Sequence, residues 1–169
     1  MKDLLGVEEL TRVINEFLEP FDIIAEMGTE NAYYPVEEKI TYSLIMPEAA
    51  KDYFMQNFQR LAPDLDCDAF LVSLLHEVGH AETLYLLGEV EECYCRDIKD
   101  ELTEKFNQKL SEEEEKQLHQ VYFDLPDEYE ATMWAANYIR NHIEQIKIEW
   151  AKIRAAVLNF YKLNGVEVK

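Results

Sequence analysis

The residues best suited to chemistry are His76-Glu77-Val78-Gly79-His80, an H-E-x-x-H sequence inside an apolar run over 69–87 that reads as a helix. Positions i and i+4 of a helix lie one above the other, so His76 and His80 can bind one metal ion through their imidazoles. Glu77 points about 100° away and can reach a water on that ion without being a ligand. Zinc hydrolases need this division of labour: ligands that hold the ion, and a separate carboxylate that takes a proton from water. Gly79 carries no side chain, which lets another backbone or a substrate come close. A helix that faced only a core would rarely set His, Glu and His at this spacing.

Two histidines do not complete such a site. A catalytic zinc normally has three protein ligands and an open position for water. Only His119 and His142 remain in the chain, so a carboxylate is the better third ligand. Residues 126–137 place acidic side chains at the start of a helix that then turns apolar. Facing the motif helix, that start could project one carboxylate onto the ion.

The elements that must position these groups follow from periodicity and punctuation. Leu4, Leu5, Leu10, Val13, Ile14, Phe17 and Leu18 recur at helical spacing, with Asp3 as N-cap and Pro20 as terminator. Residues 21–27 form a short apolar run that ends in the turn cluster Gly28-Thr29-Glu30-Asn31, and residues 40–46 are rich in strand formers. Together they read as a small antiparallel sheet, with Pro35 at an edge or turn. Pro47 opens a helix over 48–60. Asp64, Asp66 and Asp68 are candidate caps for the motif helix, and Gly88 its stop. On that helix Leu74, Val78, Ala81 and Tyr85 form a stripe expected to face the core, while the histidine face opens to a cleft. Ser111-Glu112-Glu113-Glu114 is a capping box that starts another helix. From Glu128 to the stop at Asn164-Gly165 the pattern is helical, either continuous or broken near Asn141. No repeat or linker interrupts the chain, so 1–169 reads as a single domain.

Composition narrows the partners. The net charge of −19 argues against binding nucleic acid through its phosphates and against docking on anionic membranes. The N-terminus lacks the apolar core and cleavage site of a signal peptide, and no run of eighteen apolar residues occurs. The expected compartment is the cytoplasm. Cys67, Cys93 and Cys95 fit reduced thiols better than a disulfide framework or a second metal site.

Leu74-Leu75-His76-Glu77-Val78-Gly79-His80 and the later Glu128-Tyr129-Glu130-Ala131-Thr132-Met133-Trp134-Ala135-Ala136 resemble the zinc metallopeptidases of the ImmA/IrrE type, found in bacteria and mobile elements. The likeness spans roughly 30–140, in motif and order, and beside the family's spacing the charged segment 89–123 looks like a helical insertion. It implies an α+β, mostly helical zincin-like metallopeptidase domain with a long C-terminal helix. It also implies Zn²⁺ held by His76, His80 and Glu128, with Glu130 as runner-up for the third ligand. Glu77 would be the general base in hydrolysis of a peptide or protein substrate. The family usually has Asn or Asp where this chain has Thr132. His119, Tyr122 and Tyr129 are possible oxyanion donors, and Tyr42 and Ser43 lie on a strand that could pair with an extended substrate. Two other readings stand beside this one: a non-catalytic acidic interaction protein on a peptidase fold, and a zinc hydrolase of a non-peptide bond.

Overall fold

The computed structural model describes residues 4–166. It is α+β, about 70% helical with a small three-stranded sheet. The elements are α1 (Val7–Leu18), β1 (Ile24–Met27), β2 (Ala32–Tyr34), β3 (Lys39–Tyr42), α2 (Glu48–Leu61), α3 (Ala69–Thr83), α4 (Glu89–Phe106), α5 (Glu112–Phe123), α6 (Pro126–Asn141) and α7 (Ile143–Leu163). They fall into two compact units. One joins the chain up to Ile45 with the chain from Ile139 onward; the other is Met46–Tyr138.

In the first unit α1 packs on α7. Leu10, Ile14, Phe17 and Leu18 of α1 are buried, as are Ile146, Trp150, Ile153 and Phe160 of α7. The expected N-cap, Asp3, lies outside the described residues. Helix α1 instead starts after Gly6, whose φ of 81° is the left-handed region that glycine enters without steric cost. The break expected near Asn141 is present, because α6 ends there and α7 begins two residues later.

The sheet corrects an expectation. Its order is β1-β3-β2; β2 and β3 are antiparallel, but β1 and β3 are parallel, pairing Ile24 with Lys39 and Met27 with Tyr42. The sheet is therefore mixed rather than antiparallel. The cause is β2, a strand of three residues too short to register in the sequence. The chain reverses after β1 and again through Pro35, and two reversals restore the original direction. A second expectation also falls. β3 is the central strand, so neither of its edges is open to an extended substrate. The Tyr42 carbonyl accepts from Gly28 N at 2.8 Å, and Ser43 N donates to Asn31 Oδ1 at 2.7 Å.

The second unit holds α2 to α5 and most of α6. Asp68 caps α3, accepting from Phe70 N at 2.9 Å and Leu71 N at 3.4 Å. Every residue from Leu71 to Gly79 is buried, so α3 is a central helix with no solvent face along this stretch. The expected stripe is only half realised: Leu74 and Val78 are buried, whereas Tyr85 lies beyond the helix and is exposed. Gly88 does not end α3, which stops at Thr83 and passes into a short 3₁₀ turn. Gly88 caps α4 instead, its N–H donating to Glu91 Oε2 at 2.8 Å. The segment 89–123 forms α4 and α5. Helix α5 opens on the expected capping box, with Ser111 N donating to Glu114 Oε2 and Glu114 N to Ser111 Oγ.

Candidate metal centre

The site begins with a close approach of two helices. A Cβ on Gly79 would sit 2.4 Å from the Ala131 carbonyl oxygen and 2.9 Å from Ala131 Cα. Only glycine lets the α6 backbone lie this near α3. Glu128 and Thr132 lie three residues before and one after Ala131, so both reach the part of α3 that carries the histidines.

Three side chains converge there. His76 Nε2 lies 3.0 Å from Glu128 Oε2 and 3.1 Å from His80 Nε2, and His80 Nε2 lies 3.5 Å from Glu128 Oε1. A tetrahedral metal with ligands at about 2.0–2.1 Å would space its ligand atoms about 3.3 Å apart. The spacings between the two imidazole nitrogens and the carboxylate are therefore of the size a small cation needs, and this donor set suits zinc. Among the described residues this trio is the group able to hold a metal ion. The His76 and Glu128 side chains are 5% and 2% exposed, and that of His80 is 19% exposed. Of the three side chains, that of His80 is the most open to solvent. The histidine face is thus covered, not open along a cleft as the sequence suggested.

Thr132 resolves what its departure from the resembled pattern left open. Its hydroxyl donates to the Glu128 carbonyl at 2.8 Å, and its oxygen lies 3.1 Å from His76 Nδ1. With that O–H committed, the ring must donate from Nδ1. The Nε2 lone pair of a neutral His76 then points at the triad, as ligation requires.

No protein-family model, curated protein or solved structure matches this chain.

The electrostatics come from the site's own residues. Burial alone would raise the Glu128 carboxyl, but the imidazoles of His80 and His76 hold it well below the usual carboxylate range. Lys99 Nζ, from α4, contacts both Glu128 Oε1 and Asp127 Oδ2. Burial pulls the Lys99 ammonium down, yet the negative charges of Glu128 and Asp127 outweigh it and raise it above its ordinary value. Tyr122 is pushed well up by burial and by the charge of Glu128, with Glu77 adding to the effect. Its phenol stays protonated and is hydrogen-bonded to Glu128.

Other expected site residues are distributed as follows. Glu77 is buried on α3 beside His76. Glu130 is partly exposed and lies outside the cluster of His76, His80 and Glu128. Tyr129 is 40% exposed. His119 stacks on Tyr53 at 4.5 Å and lies 4.7 Å from Phe106, centroid to centroid. It lines a separate cavity of about 200 Å³ with Tyr53, Asn57, Arg60 and Lys116. Of the three possible oxyanion donors, only Tyr122 stands at the triad. All three cysteines are free thiols. Among the described residues no helix is long and apolar enough to cross a membrane.

Sequence reasoning missed Lys99. A signal existed: Cys95, Lys99 and Leu102 follow one another at helical spacing, and the two flanking residues are buried. A lysine within such a stripe needs an internal counter-charge.

Proposed function

We propose that this chain is a zinc-dependent metallopeptidase in which His76, His80 and Glu128 hold Zn²⁺ and Glu77 is the general base. The observation that carries the reading is the convergence of two Nε2 atoms and a carboxylate at 3.0–3.5 Å, with Thr132 setting the tautomer of one ring. Bound there, zinc supplies Lewis acidity toward water and toward the substrate carbonyl. Glu77 accepts a proton from the attacking water as its oxygen bonds to the carbonyl carbon. It returns that proton to the amine nitrogen as the C–N bond breaks. Tyr122, a protonated phenol hydrogen-bonded to Glu128, is the expected oxyanion donor that lies at the triad, and it would have to turn from Glu128 to serve. Burial of His76 and Glu77 limits stray water around the reacting atoms. The cytoplasm is the compartment we propose, and three free thiols suit it.

One observation favours a second reading, a metal-free interaction protein. Lys99 already supplies a cation to Glu128, so the buried carboxylate is satisfied without an ion. Elemental analysis and zinc titration decide between them. We expect one zinc per chain in the wild type, little or none in Glu128→Ala, and near wild-type content in Glu130→Ala. Glu77→Gln is expected to keep zinc while cleavage in a peptide library falls on the order of 10²-fold or more. Absence of zinc uptake by the wild type would leave the interaction protein as the reading.

A further inference from the structure

Both oxygens of Glu128 face the imidazole pair, Oε2 toward His76 at 3.0 Å and Oε1 toward His80 at 3.5 Å. A carboxylate so oriented is free to bind a metal through one oxygen or through both. The second mode would fill the position that a water needs. Lys99 breaks this symmetry. Its ammonium touches Oε1 but not Oε2, and its other contact, Asp127 Oδ2, anchors it from the far side. The Tyr122 ring lies 5.3 Å from Nζ and adds a third hold. The lysine stem leaves α4 between the buried Cys95 and Leu102, which limits its freedom to swing away.

We infer that Lys99 is a positioning residue that occupies Oε1 of Glu128 and so makes this side chain a one-oxygen ligand, an inference that rests on the metal site proposed above. The ammonium draws the carboxylate's charge toward Oε1, and like-charge repulsion opposes a dication taking the same oxygen. Oε2 is left as the donor, and the coordination sphere keeps a place for water. Helices α4 and α5, which supply Lys99 and Tyr122, would then be part of the working site.

Cobalt(II) reports this directly, since four-coordinate cobalt absorbs strongly in the visible and five- or six-coordinate cobalt weakly. Metal-free full-length wild type, Lys99→Met and Lys99→Arg are titrated with cobalt. Methionine keeps the unbranched stem and loses the charge; arginine keeps a cationic donor that can span both carboxylates. The wild type should take one equivalent with intense bands. Lys99→Met should take one equivalent with bands several-fold weaker, and should bind on the order of tenfold more tightly in chelator competition. Lys99→Arg should keep the intense bands. Unchanged bands in Lys99→Met, or weak bands in Lys99→Arg, overturn the inference and leave the metal site standing. Should metal-free Lys99→Met melt at a lower midpoint than the wild type, zinc must raise that midpoint by more than it raises that of the wild type; an equal or smaller rise overturns the inference. No cobalt uptake by the wild type overturns the metal site and this inference together.

Discussion

A hydroxyl rather than a metal ligand sets the orientation at the heart of the site. Thr132 connects the Glu128 backbone to the His76 ring, so it fixes two of the proposed donors at once. Thr132→Val keeps the shape and removes both hydrogen bonds. Zinc affinity is expected to fall about 10–100-fold, the usual cost of losing an outer partner of a ligand. Thr132→Ser should hold affinity near wild type. Competition against a chelating dye measures both, and equal affinities for Val and Ser would discard the role. At this scale the sequence was informative wherever spacing along one helix decides the outcome. His76, Glu77 and His80 are arranged by local helix geometry alone. Glu128 against Glu130 needed the register of α6 on α3. Lys99 needed α4 to be folded against α6, a contact no local pattern encodes.

Among the elements, the pairing of α3 with α6 has the largest consequence. Gly79→Ala would push a methyl group into the Ala131 backbone, which cannot yield as a flexible side chain can. The gain in helix propensity, at most about 1 kcal/mol, is smaller than an overpacking cost of about 3 kcal/mol against rigid backbone, so a net loss of about 2 kcal/mol is expected. A lowered thermal midpoint should accompany weaker zinc binding, because any separation of the helices draws Glu128 away from the histidines. A Gly79→Ala protein as stable as wild type would mean that the helices slide apart freely. Helix starts were legible where a side-chain cap marks them, at Asp68 and Ser111. Direction within the sheet was not, because it depends on counting reversals, and β2 carries too few residues to be counted. The burial of α3 was likewise hidden, since a helix surrounded on all sides has no amphipathic signature.

On the scale of the whole chain, His76, His80, Glu128, Lys99, Tyr122 and Thr132 all belong to the unit Met46–Tyr138. A ligand that binds the native state raises the free energy of every opening that exposes its site. Zinc is therefore expected to slow amide exchange most in α3, α4 and the first half of α6. The sheet and α1, in the other unit, should gain less. Hydrogen exchange with and without zinc checks this. A uniform rise along the chain would mean that the two units open only together, as the single-domain reading of the sequence expects. The acidity, with a net charge of −19, acts at this scale too: it favours solubility and repels polyanions without dictating the fold.

The contact between Gly79 and Ala131 bears on how the motif itself is written. The notation H-E-x-x-H leaves its two middle letters free, but here neither is. Val78 is fully buried and Gly79 abuts a carbonyl. A saturation library at these two positions, selected only for folded protein, should return small and medium apolar residues at 78 and almost nothing but glycine at 79. In this chain the unnamed letters are as constrained by packing as the named ones are by chemistry, so the motif is in effect five letters long.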